Sequence, residues 1–117
     1  MTLKDKLTNH DLTVGSWITI GSTAVAEIMA RAGYDWLTID MEHSAITIDI
    51  AQELIRVIEL CGVAPLVRVG VNDATVIKRV MDAGAHGVIV PMVNSREDAE
   101  KAVASVSPLW FPVRTRQ

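Results

Sequence analysis

The sequence predicts an α/β fold in which helices pack on a buried parallel sheet, and three observations predict it. The apolar content is aliphatic: half of the 117 residues are hydrophobic and only 4% are aromatic, the mix expected of parallel strands covered on both faces. Three helix-like segments close alike, in Ala32-Gly33, Cys61-Gly62 and Ala83-Gly84, and each feeds an apolar run within a few residues. A residue suited to capping (Ser22, Thr47 or Asp49, Asp73, Ser95) stands where each helix would begin. Strand, turn, helix and glycine recurring in that order is the pattern of consecutive βα units.

Val14–Ile20 is the first predicted strand. Ser22 caps a helix over Thr23–Ala32, its hydroxyl accepting from a first-turn N–H, and Gly33 ends that helix in the left-handed conformation. Asp35–Ile39 is the second strand. Thr47 or Asp49 caps a longer helix through Leu60, with Gln52 three residues after Asp49 in capping-box spacing. Its apolar positions Ile50, Leu54, Val57, Ile58 and Cys61 recur at helical spacing, and Gly62 ends it. Pro65–Val69 is the third strand; lacking an N–H, Pro65 is expected only at its first position. Asp73 caps the third helix, whose apolar face is Val76, Ile77, Val80 and Met81 and whose end is Gly84. Gly87–Val90 is the fourth strand, stopped by Pro91, and Ser95 caps a fourth helix over Arg96–Val106.

Four βα units are half of a (β/α)8 barrel, whose usual length is about 250 residues, or else a small doubly wound sheet; periodicity does not choose between them. The spacing Gly15…Gly21 lacks the Gly-x-Gly-x-x-Gly pattern, which weighs against a dinucleotide-binding loop. The formal charge is −3 with both signs interspersed, and Arg114 and Arg116 make too small a cluster for a nucleic-acid partner. No apolar run reaches the eighteen or so residues of a membrane span, and Met1–Lys6 is polar with no signal core. A single cysteine, Cys61, precludes an internal disulfide or a Cys-based zinc cage and reads as a buried, inert thiol. The expectation is a cytoplasmic protein that handles a small molecule.

The most informative stretch is Asp40-Met41-Glu42-His43, directly after the second apolar run. The carboxyl ends of parallel strands are where ligands bind in α/β proteins. Asp40 and Glu42 share a face by alternation, and His43 sits on the turn beyond. Other strands deliver unusual residues too: Trp17 within the first, Arg68 at the end of the third with Asn72 and Asp73 beyond it, and Pro91-Met92 after the fourth. An arginine inside Leu66-Val67-Arg68-Val69 must reach solvent or find an anion. It either pairs with Asp40 or Glu42, or holds a substrate carboxylate or keto oxygen, and the two readings overlap. His43 reads as metal ligand, loop residue or general acid–base, the last favoured because imidazole titrates near neutrality and the adjacent Glu42 and His43 cannot easily aim at one ion. His10 and His86 receive no role.

Taken together, Gly15-Ser16-Trp17, Ala30-x-Ala32-Gly33-Tyr34-Asp35-Trp36-Leu37-x-Ile39-Asp40-x-Glu42-His43, Pro65-Leu66-Val67-Arg68-Val69, Ile77-Lys78-x-x-Met81-Asp82-x-Gly84-Ala85 and Val90-Pro91-Met92-Val93 resemble the HpcH/HpaI aldolases over about residues 12 to 106. The resemblance implies the first four βα units of a (β/α)8 TIM barrel, a truncated half barrel. It implies a metal-dependent carbon–carbon lyase acting on 2-oxo acids such as 4-hydroxy-2-oxoheptanedioate and 2-dehydro-3-deoxyglucarate, with pyruvate released by retro-aldol cleavage. In that scheme His43 takes the proton of the C4 hydroxyl, Arg68 binds the pyruvate end and stabilises its enolate, and Trp17 contributes to substrate binding. Asp82 is the partner that raises the basicity of His43, although it lies near the end of a helix that a simple barrel would place on the opposite face. Asp40 and Glu42 order the outer shell of the metal, a divalent ion such as magnesium or manganese. The metal's own ligands belong to later strands, so this chain is expected to contain none and to bind none. Homo-oligomers are also implied.

Residues 1–106 are therefore expected to be the N-terminal half of an aldolase barrel, and residues 107–117 a non-family tail. The family's Tyr-Pro-Pro-x-Gly-x-Arg-Gly segment is replaced by Ser107-Pro108-Leu109-Trp110-Phe111-Pro112. One codon set for that tail, read one base later, gives Pro-Leu-Phe-Gly-Ser-Arg, so a frameshifted fragment without activity of its own is the expectation. The alternatives are a citrate-lyase-β-like or malyl-CoA-lyase-like enzyme and a non-catalytic half barrel acting in assembly.

Overall fold

Parallel pairing between strands adjacent in sequence organises the chain. The structure is a computed structural model that describes residues 1–107; the expected tail, apart from Ser107, lies outside the described residues. The elements are α1 (Leu3–Thr8), β1 (Gly15–Ile18), α2 (Thr23–Ala30), β2 (Trp36–Asp40), α3 (Ile48–Leu60), β3 (Ala64–Arg68), α4 (Ala74–Asp82), β4 (Gly87–Ile89) and α5 (Arg96–Val106). The four strands form one sheet in the order β1-β2-β3-β4. Its register aligns Ile18 with Ile39, Ile39 with Val67 and Val67 with Val88. A doubly wound sheet reverses its strand order at a switch point. Here the order never reverses, so right-handed crossovers send every connecting helix to the same face. The arrangement is a run of (β/α)8 barrel units.

That face holds the core. Ile18, Leu37, Ile39, Val67 and Val69 point to it and are buried against Ala26 and Ala30 of α2, Leu54, Ile55 and Ile58 of α3, and Ile77 and Val80 of α4. The opposite, concave face carries Trp17, Trp36, Thr38, Leu66 and Ile89, and at its upper edge Asp40 and Arg68. Trp17 is 40% exposed there, whereas the Thr38 hydroxyl is buried without a hydrogen-bond partner.

The caps explain why the helices start and stop where they do. Ser22, Asp73 and Ser95 accept from the backbone N–H of Val25, Val76 and Asp98 respectively. Gly33, Gly62 and Gly84 follow α2, α3 and α4 with φ of 100°, 82° and 110°, the left-handed region that side chains disfavour.

The structure corrects several boundaries. β1 is shorter than 14–20, α2 stops at Ala30, and β4 stops at Ile89. β2 begins and ends one residue later than expected, so Asp40 is its last residue rather than the first residue of a loop. Thr47 is the N-cap of α3, and its hydroxyl donates to the Asp49 carboxylate instead of accepting from the helix; Asp49 sits in the first turn, so the Asp49–Gln52 capping box does not form. Pro65 is the second residue of β3, not the first. It is tolerated because β3–β4 pairing begins only at Leu66, and the Pro65 carbonyl still accepts from the His86 N–H. α1 was not expected at all. A reciprocal capping box, Thr2 with Asp5, starts it, and Lys6 ties it to Asp35 at 2.6 Å, below the N-terminal ends of β1 and β2.

On the concave face, small residues in the outer strands make room for large ones in the inner strands. A Cβ on Gly15 would lie 1.9 Å from Cδ2 of Trp36, and one on Gly87 would lie 3.2 Å from Cδ2 of Leu66. Gly15→Ala is therefore expected to cost about 1–3 kcal/mol, because the indole must leave its place. Gly87→Ala is expected to cost less. Urea melts of the two variants check the order, and equal midpoints would contradict it.

Candidate active site

The carboxyl edge of the sheet brings together residues that arrive on three strands. Register places Asp40, ending β2, directly beside Arg68, ending β3. Arg68 Nε donates to Asp40 Oδ1 at 3.1 Å and Nη2 donates to Oδ2 at 2.6 Å. This two-pronged contact is the strong form of the arginine–carboxylate pair. The backbone N–H groups of Glu42 and His43 both donate to Oδ1 at 3.0 Å, so Asp40 also folds the turn that carries them. Ser44 completes the turn by donating to the Asp40 carbonyl and accepting from the Ile46 N–H.

The Asp40 side chain is 4% exposed. Its carboxyl is pulled down to about 2, chiefly by the Arg68 hydrogen bonds and further by the two backbone donors, against burial, which pushes the other way. The same contact raises Arg68 above its usual value. Arg68 lies over the Trp17 ring, with Cζ 4.5 Å from the centroid, a cation–π contact. Glu42 Oε1 stands 3.6 Å from Arg68 Nε and 3.2 Å from His43 Nε2, so one carboxylate oxygen faces both the guanidinium and the imidazole. The His43 side chain is 70% exposed.

Arg68 thus has one edge committed and one to spare. A guanidinium has five N–H donors in a planar fork. Asp40 takes the Nε/Nη2 edge, and among the described residues no hydrogen bond engages Nη1. The remaining edge is a ready cradle for a planar anion. Beside it an exposed imidazole is steadied by Glu42.

Of the six residues given a role from the sequence, five (Trp17, Asp40, Glu42, His43 and Arg68) therefore meet at one rim. Asp82 does not. It is the exposed last residue of α4, a helix that returns the chain to the start of β4 at the other edge of the sheet. Asp73 is occupied in capping α4, and the Asn72 amide nitrogen donates to the Asp98 carbonyl of α5 at 2.9 Å. Ser44 was missed by sequence reasoning; its one signal is a hydroxyl four residues after Asp40, within reach of that residue's carbonyl. Two clefts lie away from this rim, beside α1: one is lined by Lys6, Asp35, Glu59 and His86, the other by Leu66, Gly87 and Val88.

No three His, Cys, Asp or Glu side chains gather as a metal-binding group among the described residues. Both Asp40 oxygens are already engaged by N–H groups. Among the described residues no helix is long and apolar enough to cross a membrane.

A family model described as HpcH/HpaI aldolase/citrate lyase matches residues 13–109. The hydroxypyruvate/pyruvate aldolase of Paraburkholderia phytofirmans is 42% identical over 103 residues, covering 86% of this chain and 40% of that protein. The 2-dehydro-3,6-dideoxy-6-sulfogluconate aldolase of Pseudomonas putida is 39% identical over 99 residues, covering 85% and 38%. The crystal structure of an HpcH/HpaI aldolase from Desulfitobacterium hafniense matches with a TM-score of 0.86 at 30% identity, over 100% of this chain and 46% of that one. The chain spans about two fifths of the length of the curated relatives it matches.

Proposed function

The chain belongs to the HpcH/HpaI aldolase/citrate lyase family, and from that premise we propose that its rim is the oxo-acid end of a carbon–carbon lyase site. The substrate is a 4-hydroxy-2-oxo acid, cleaved to pyruvate and an aldehyde. The free edge of Arg68 takes the carboxylate and the 2-oxo oxygen. His43 accepts the proton of the C4 hydroxyl as the C3–C4 bond breaks and the C4 oxygen becomes the aldehyde carbonyl. The bonding pair passes to C3, giving the pyruvate enolate, whose oxygen charge the guanidinium stabilises. A proton then returns to C3 and pyruvate leaves. Asp40 keeps the guanidinium turned toward that charge, Trp17 supports it from below, and Glu42 steadies the imidazole. The magnesium or manganese ion expected from the resemblance would be held by residues of later strands, with Asp40 and Glu42 ordering its outer shell. Asp82 keeps its proposed role as partner of His43 only if a neighbouring subunit brings it there. A homo-oligomeric assembly, a cytoplasmic location and a half-barrel unit over residues 1–106 belong to the same reading.

The observation that supports this reading is the Arg68 guanidinium, fixed on one edge by Asp40 and open on the other, with His43 within reach of the same glutamate. Oxalate, a planar mimic of the pyruvate enolate, tests it. Titration followed by Trp fluorescence or calorimetry is expected to show binding that weakens by about tenfold or more in Arg68→Ala and by a smaller factor in Arg68→Lys, which keeps charge but loses the fork. Equal affinity in all three proteins would overturn the assignment. Pyruvate release by the chain alone, with either metal added, is expected to stay at background. The family description also includes citrate lyases, so a citrate-lyase-β-like or malyl-CoA-lyase-like reaction is the second reading. Presenting CoA thioesters beside free oxo acids separates the two.

A further inference from the structure

We propose that Ser44 is a positioning residue of the site, its hydroxyl fixing the turn that presents His43 beside the free edge of Arg68. The inference rests on the lyase reading for what His43 faces, and on hydrogen bonds within the turn for what Ser44 does.

His43 needs such a device. Its side chain is 70% exposed, so packing does little to hold the ring, and its place follows from its backbone. That backbone lies between Asp40, the last residue of β2, and Ile46, where the chain returns to the core. Asp40 governs the first half of the stretch. Its Oδ1 accepts from the N–H groups of Glu42 and His43, while the Met41 N–H donates to the Arg68 carbonyl at 3.0 Å. Ser44 governs the second half. A hydroxyl can donate and accept at the same time, and Ser44 Oγ does both. It donates to the Asp40 carbonyl and accepts from the Ile46 N–H at 3.1 Å. One atom thus ties the end of the strand to the point of return, with His43 on the loop between.

The two ties have different reach. The Asp40 side chain holds both the turn and the Arg68 fork, so its loss disturbs imidazole and guanidinium together. Ser44 bonds to the backbone of Asp40 and leaves the carboxylate alone. Its loss should therefore loosen His43 while Arg68 keeps its partner. Alanine offers neither donor nor acceptor and leaves the Asp40 carbonyl and the Ile46 N–H to water, whereas threonine keeps both functions. Thr47, the next hydroxyl along, is not equivalent: it donates to the Asp49 carboxylate and makes no bond to the turn among the described residues.

Oxalate titrations of the full chain, arranged as a double-mutant cycle, test this. His43→Ala is expected to weaken oxalate by about threefold or more, Ser44→Ala by about twofold or more, and the pair together by no more than His43→Ala alone, because the turn matters only while it carries the imidazole. Ser44→Thr is expected to bind as the parent does, and so is Thr47→Ala, which removes a hydroxyl from the same loop. Amide hydrogen exchange at Glu42 and His43 should quicken by about fivefold or more in Ser44→Ala, with Val67, fully buried in β3, unchanged. Parent-like affinity or exchange in Ser44→Ala overturns the proposal. So does a loss that adds in full to that of His43→Ala, an equal loss in Thr47→Ala, or a threonine that fails to restore binding. Oxalate binding indifferent to Arg68→Ala is a separate result, which overturns the lyase reading and this inference with it.

Discussion

Asp40→Ala is expected to lower the unfolding free energy by about 3 kcal/mol. The substitution leaves the Arg68 guanidinium, 26% exposed, without its two-pronged partner, and removes the acceptor of the Glu42 and His43 N–H groups. Taking one member from a largely buried pair costs more than the pair itself contributes, because the other charge stays behind. Acid should reveal the same interaction. The Asp40 carboxyl is held at about 2 against an ordinary 3.8. A carboxylate depressed in the folded state stabilises fully above its unfolded value and loses that contribution as pH falls through the folded one. The parent chain should therefore lose about 2 kcal/mol between pH 4 and pH 2 through this group alone. Asp40→Ala should lack that part of the slope. Urea midpoints at pH 6 and pH 3 check both statements, and identical acid slopes would contradict the second.

Leu54→Ala is expected to cost about 3–4 kcal/mol. Leu54 is fully buried on α3, in the core cluster where that helix meets the sheet. A cavity there touches the sheet and its helix layer together. Since a domain of this size has a total stability of about 5–15 kcal/mol, the variant should melt many degrees earlier. Leu60, on the same helix but 87% exposed, is the control: Leu60→Ala should change stability by no more than about 0.5 kcal/mol. A thermal melt of the two variants checks the contrast.

Much of the fold was legible because local chemistry dictates it. The glycines that end α2, α3 and α4 carry the positive φ their positions require, and Ser22, Asp73 and Ser95 make the caps their side chains suit. The sequence left a half barrel and a doubly wound sheet open, since both are built of βα units; only strand order separates them, and order is a long-range property. α1 escaped because a six-residue helix with no buried residue leaves no apolar periodicity, although Thr2 and Asp5 marked its start. Pro65 misled because the rule about its N–H depends on when the neighbouring strand begins to pair, and β4 begins late.

The site divides along the same line. That Asp40, Glu42, His43 and Arg68 end consecutive strands follows from sequence spacing. That Asp40 and Arg68 stand directly opposite is a matter of register, which no single strand encodes. The contact of Trp17 with the guanidinium likewise depends on β1 lying two strands from β3 with both side chains on the concave face. Asp82 shows the converse: a motif match fixes a residue's place in the chain, while the direction of α4 carries it to the far edge.

Each strand of this sheet finds its partner in the strand made just before it. Assembly can therefore keep pace with synthesis. No strand pairs with one further along the chain than the next βα unit, so no early segment must wait for a distant one.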